Sequence, residues 1–136
     1  MSLQVWLPLN GNLKNLGLAS LSGGASSPNF VEGKIGALSL NNSSAISFTP
    51  TCEMKSTKYT VMMWVKMLPT FTSNTWQTIC SLKYRDNSHQ TIYATPDKVR
   101  YKIEYKPEYN ISCDVYGWHH IAYRVDGATV TAFLDG

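Results

Sequence analysis

An Asp-Gly pair between two short apolar runs near the end of the chain is its most restrictive feature. Residues 118–125 and 129–134 flank Asp126-Gly127 within the stretch GWHHIAYRVDGATVTAFLDG. Glycine tolerates the positive φ that tight hairpin turns demand, so this arrangement predicts two antiparallel strands joined by a short turn. A second pair, Asp135-Gly136, stands where a further turn should begin.

The rest of the chain is compatible with the same kind of structure. Residues 98–106 alternate cleanly: Val99, Tyr101, Ile103 and Tyr105 on one face, and Lys98, Arg100, Lys102, Glu104 and Lys106 on the other. Period two over nine residues predicts a strand with one wet side, whose basic row is a solvated face and a possible guard against edge pairing, with a ligand-attracting patch as the alternative. Residues 59–67 are apolar on both faces, with Tyr59, Val61, Met63, Val65 and Met67 on one side and Met62 and Trp64 on the other. Val, Tyr, Thr and Trp favour a central strand over a helix there, with its second side covered by a loop or layer.

Strands are also predicted over residues 76–84 and 89–95, over 37–40 and 45–49 around Asn41-Asn42, and over 3–9 as an edge ending near Pro8. Between Gly11 and Ile35 no period is visible, and Gly17, Gly23, Gly24 and Pro28 mark a long loop with at most one short strand near residues 16–21. Residues 107–117 read as a connection. About nine short strands and no helix longer than a turn make this an all-β chain, a sandwich or barrel.

The 136 residues predict one domain, residues 1–136, with a real core. Charged residues make up only 15% and the net charge is +3, far from a nucleic-acid footprint. Such a polar, charge-poor composition suits an extracellular or virion-exposed module. No apolar run approaches a membrane span. The opening MSLQVWLPL lacks a basic n-region and a continuous apolar region, so no signal peptide is expected, and the sequons at Asn41, Asn42 and Asn110 are expected to carry no glycan. Cys52, Cys80 and Cys113 are odd in number and far apart, which fits buried free thiols, or one long-range disulfide with a spare.

Four segments resemble a laminin-G-like module of the concanavalin A-like lectin/glucanase superfamily: LPLNGNLKN at residues 7–15, GKIGALSLNNSSAISF at 33–48, YTVMMWVKM at 59–67 and the terminal hairpin. The opening also resembles modules of bacteriophage tail-fibre and other virion proteins. The resemblance implies an antiparallel jelly-roll β-sandwich. Members generally carry further strands after the last Asp-Gly, so the module is expected to be incomplete at its C-terminus. A longer parent chain, a strand-completing partner, a homo-oligomer or dispensable strands are the alternatives.

Chemistry is sparser. His119 and His120 are neighbours on one strand and point to opposite faces, so they cannot chelate one ion as strand ligands. With Trp64 and Trp118 they are expected to be framework. A glycosidase needs two carboxylates about 5–9 Å apart, and the Glu-x-Asp-x-x-Glu run of catalytic relatives is missing, so no enzyme activity is expected. Calcium, if any is bound, would use loop oxygens, with Asp86, Asp126 and Asp135 the candidates against a plain turn-forming role. Sugar binding needs an aromatic platform with polar neighbours. Four Trp and eight Tyr supply aromatics, of which Trp76, Tyr84, Tyr93, Tyr109 and Tyr116 lie nearest loops, with Arg85 and Asn87 beside them. The expected role is a non-catalytic recognition module for a glycan or cell-surface receptor. The alternative is an assembly domain of a phage tail or other extracellular particle.

Overall fold

The computed structural model describes residues 7, 14, 16–17, 20–24, 29–31, 37–39, 47–50, 58–68, 76–83, 89–103 and 106–136. The chain divides into two compact units, Met1–Met54 and Lys55–Gly136. The first holds β1 (Leu21–Gly24), β2 (Asn29–Val31), β3 (Ala37–Ser39) and β4 (Ser47–Pro50), in which β1 pairs with β4 and β2 with β3, both antiparallel. Two strands therefore occupy the stretch before Ile35 where one at most was expected. Gly23 and Gly24, at φ 103° and 146°, gave that stretch the look of a loop. Its pairing comes instead from β4, a partner distant in sequence that local pattern cannot reveal. The expected strand over residues 3–9 lies outside the described residues except for Leu7.

The second unit contains β5 (Lys58–Val65), β6 (Gln77–Lys83), β7 (His89–Thr95), β8 (Lys98–Ile103), β9 (Tyr109–Ser112), β10 (His119–Asp126) and β11 (Thr129–Leu134). They form two antiparallel sheets in a sandwich-like arrangement, one ordered β11-β10-β5 and the other β6-β7-β8-β9. The terminal hairpin forms where the Asp-Gly pair predicted, but Asp126 is the last residue of β10, paired with Thr129, and the two turn residues are Gly127, at φ 59°, and Ala128, with a negative φ, the pattern of a type II′ turn.

Three departures from the sequence pattern matter. Tyr109–Ser112 is a strand, where a connection was expected. It makes β8 a central strand, so the basic row on β8 is a solvated face and not an edge guard. The β6–β7 register slips by one residue between Thr78 and Cys80, a β-bulge. Finally, Met62 and Trp64 are 61% and 48% exposed, so the second cover expected over β5 does not close on them.

The core lies between the two sheets. Ile92, Val99 and Tyr101 from one sheet meet Ile121, Tyr123 and Val125 from the other, all under a tenth exposed. Polar bonds tie the layers together. The Tyr101 hydroxyl donates to the Phe133 carbonyl at 2.8 Å, and the Tyr59 and Tyr123 hydroxyls both donate to Gln90 Oε1. At the end of the sandwich the Met67 amide donates to the Val115 carbonyl at 2.9 Å.

Candidate functional site

On β8, Val99 and Tyr101 point into the core, so Arg100 between them points out. Its cross-strand partners are Tyr93 on β7 and Asn110 on β9, and Tyr93 in turn faces Thr78 on β6. Thr78, Tyr93, Arg100 and Asn110 thus form one row across all four strands of the outer face. Trp76, just before β6 and two residues from Thr78, shares this face because of the bulge. Unbroken alternation over residues 76–84 of the sequence puts Trp76 and Thr78 on the side of Cys80 and Leu82, and the last two pack against the core. One extra residue in the strand turns Trp76 to the other side.

Arg100 is held from three directions. Its guanidinium lies 4.0 Å from the centre of the Trp76 ring, its Nε donates to Asn110 Oδ1 at 3.1 Å, and its Nη1 is 3.1 Å from Glu108 Oε2. Lys102 Nζ reaches Glu108 Oε1 at 3.7 Å, and Lys98 Nζ lies 3.4 Å from Asp97 Oδ2. The three cations are therefore matched by two carboxylates on the same face. Each contact is modest, on the order of 0.5–1 kcal/mol for an exposed cation–π pair or ion pair. Their joint effect is to fix the rotamer of Arg100 and hence the plane it presents beside the indole. The surface offers aromatic area, a guanidinium, an amide and hydroxyls. It offers no activated nucleophile.

A second polar cluster closes the other sheet. His119 Nδ1 lies 2.8 Å from Asp135 Oδ2, and His119 Nε2 lies 2.5 Å from the Asp114 carbonyl oxygen. Both neighbours are acceptors, so both ring nitrogens donate, which is the hydrogen-bonding state of the charged imidazolium. The Asp135 bond, opposed by partial burial, raises the His119 pKa above its ordinary value, and the same bond holds the Asp135 carboxyl below the usual carboxylate range. Asp135 Oδ1 also accepts the His120 amide at 2.9 Å, and Asp135 ends β11 at φ 58°. The pair thus pins the end of the hairpin to the 113–117 turn.

The sign of its pH dependence follows. His119, with a raised pKa, stabilises fully below the unfolded imidazole value of about 6.5 and loses that contribution as pH rises through its folded pKa. Asp135, with a lowered pKa, contributes above the unfolded carboxylate value of about 3.9 and loses it as pH falls through its folded pKa. We expect the urea midpoint of His119→Ala to fall furthest below wild type between about pH 4 and 6.5, with the gap narrowing toward pH 9. A gap independent of pH would show that the imidazolium bond is not the stabilising element.

The predicted site residues fall in different places. Trp76 and Tyr93 share the outer face just described. Tyr109 sits opposite the buried Tyr101 and packs against the core. Tyr116 is half-buried in the turn where its amide donates to Asp114 Oδ1 at 3.1 Å. Tyr84, Arg85, Asp86 and Asn87 lie outside the described residues. Asp126 pairs with Lys58 Nζ at 2.9 Å. Asp126 and Asp135 occupy opposite ends of the β10–β11 hairpin, about 20 Å apart at 3.4 Å per residue, so they cannot share an ion. Among the described residues no group of three His, Cys, Asp or Glu side chains is placed to hold a metal.

His119 and His120 face opposite sides of β10, and the His120 ring lies 5.3 Å from that of the exposed Trp64. Trp118 is half-buried just before β10. Cys80 and Cys113 are free thiols, and burial pushes both pKa values up, so neither is an activated nucleophile. Cys52 lies outside the described residues. No helix among the described residues is long and apolar enough to cross a membrane.

Glu108 and Asn110 were not singled out as site residues by their sequence, and Arg100 entered only as one of the basic row whose alternative reading was a ligand-attracting patch. The alternation of residues 98–106 did put Arg100 on the wet face, but its meeting with Trp76 depends on the registers of three strand pairs. Compared with known proteins, the chain matches no family model, no curated protein and no solved structure.

Proposed function

We propose that this protein is a non-catalytic recognition module that binds a glycan on the outer face of the β6-β7-β8-β9 sheet. One observation carries the reading: Trp76 and Tyr93 stand in a single patch with Arg100, Asn110 and Thr78. Sugars present both C–H faces and hydroxyls. An aromatic ring takes the first, while amide, guanidinium and hydroxyl groups take the second. The resemblance to laminin-G-like modules of the concanavalin A-like superfamily supports the same class, a jelly-roll arrangement of the two sheets, and an extracellular or virion-associated setting with a cell-surface receptor as partner.

The test is a glycan array followed by titration of the best binder, in calcium and in chelator. Trp76→Ala and Arg100→Ala are each expected to weaken binding about 10–30-fold, the loss of about 1.5–2 kcal/mol from an aromatic or arginine hot spot. Loss of binding in chelator would bring calcium into the site, and retention would leave it out. No binding to any glycan, or binding untouched by both substitutions, overturns the assignment. A second reading, an assembly domain of a phage tail or other particle, is favoured by the uncharged outer edge of β11. Self-association without glycan binding would shift the assignment to it.

A further inference from the structure

The charges on the outer face of the β6-β7-β8-β9 sheet are arranged around one carboxylate. Glu108 bridges two cations of β8: its Oε2 lies 3.1 Å from Arg100 Nη1 and its Oε1 lies 3.7 Å from Lys102 Nζ. The third cation of the row, Lys98, has its own partner in Asp97 at 3.4 Å. The Glu108 and Lys102 side chains are 38% and 55% exposed, so a ligand on this face meets them directly.

This pairing leaves Arg100 its donors but cancels its charge. The fork of N–H donors on a guanidinium is larger than the contacts from Nε to Asn110 and from Nη1 to Glu108 use up. Asn110, whose Oδ1 accepts from Arg100, keeps its NH2 as a donor, and Thr78 and Tyr93 carry hydroxyls on the same row. Groups of this kind bond the hydroxyls of an uncharged sugar without displacing anything. A carboxylate or sulfate has to take the place of Glu108 beside Arg100 or sit next to it, and like charges that close repel.

We propose that this patch takes neutral glycans and that Glu108 is the residue that turns anionic ones away. The selectivity rests on the glycan-binding role of the face. Left unpaired, Lys98, Arg100 and Lys102, about 7 Å apart along β8, would favour an anion outright. Glu108 reaches two of the three at once, and with Asp97 on the third the described side chains of the row and its partners keep a single net positive charge. One side chain thereby converts a basic row into a near-balanced face. It also holds Arg100 beside Trp76, where the guanidinium serves as a donor and a flat surface and not as a free cation.

Titration of the full chain with the best neutral hexose-containing saccharide from the array, beside the same saccharide oxidised at C6 from the alcohol to the uronate, tests this. Wild type is expected to bind the uronate about fivefold or more weakly, the factor for one unit charge a few ångströms from another in water. Glu108→Gln keeps the shape and an acceptor for Arg100 but not the charge. In that variant the affinity ratio of uronate to neutral sugar should rise about fivefold or more at low salt, and the rise should shrink as salt is added. Asp126→Asn makes the same change in net charge on the other sheet, where Asp126 pairs with Lys58, and should leave the ratio at the wild-type value. Three results overturn the role of Glu108 while leaving sugar binding in place: a uronate bound by wild type as well as the neutral sugar or better, a ratio that Glu108→Gln does not raise, or one that Asp126→Asn raises equally. Binding of anionic glycans alone on the array does the same. No binding of any glycan, charged or neutral, by wild type and Glu108→Gln overturns the sugar reading and the selectivity together.

Discussion

Tyr101→Ala is expected to destabilise the second unit by about 4 kcal/mol, toward the upper end of single-residue effects in a core. The side chain is 1% exposed, between the two sheets. Its ring meets Tyr123 edge-on at 6.3 Å and its hydroxyl reaches across to the Phe133 carbonyl. Burial pushes the hydroxyl pKa up to about 12, so it stays protonated and donating through the accessible pH range. Truncation removes the aromatic volume, leaves a cavity and unties the layers. Tyr101→Phe keeps the volume and loses only the bond, for about 1 kcal/mol. In thermal unfolding the alanine variant should melt roughly 16–32 °C below wild type and the phenylalanine variant about 4–8 °C below it. Equal losses in the two would mean that the hydroxyl, and not the packing, dominates. A loss under about 1.5 kcal/mol in Tyr101→Ala would take Tyr101 out of the core.

That residue was legible from its neighbours alone. Val99, Tyr101 and Ile103 alternate with Lys98, Arg100 and Lys102, and a half-buried strand imposes this pattern whatever it pairs with. The Asp-Gly turn was legible for the same reason, since glycine's backbone freedom is local. What escaped was set by distant partners. Tyr109–Ser112 is too short for its two inward residues, Tyr109 and Ile111, to form a convincing period, and becomes a strand because β8 offers it an edge. Trp76 was found as an aromatic, but its face was misread, because a bulge is a property of the β6–β7 pair and leaves no mark on β6 alone. The encounter of Trp76 with Arg100 needs both that bulge and the β7–β8 register. Candidate site residues chosen for their nearness to loops were therefore scattered, while the patch formed on the sheet.

Gln90→Leu carries the second large stability effect, about 2–3 kcal/mol, for a different reason. Gln90 Oε1 accepts the hydroxyls of Tyr59 and Tyr123, the one from β5 and the other from β10, so a single amide joins β7 to two of the three strands of the opposite sheet. Tyr123 is 2% exposed, and its ring also meets Tyr59 edge-on at 6.2 Å. Leucine nearly matches glutamine in size, so the cost lies in the acceptor withdrawn from two hydroxyls inside the sandwich, not in lost volume. Withdrawing a polar partner there costs more than the bond contributed, because the hydroxyl gave up water to reach it. The same physics predicts a rescue. Adding Tyr59→Phe and Tyr123→Phe to Gln90→Leu removes the donors as well, and the triple variant should recover at least half of the loss, since an apolar trio of the same shape is close to neutral. If chemical denaturation shows the three substitutions to be additive, the shared acceptor is not what joins the sheets, and shape alone holds Tyr59 and Tyr123 in place.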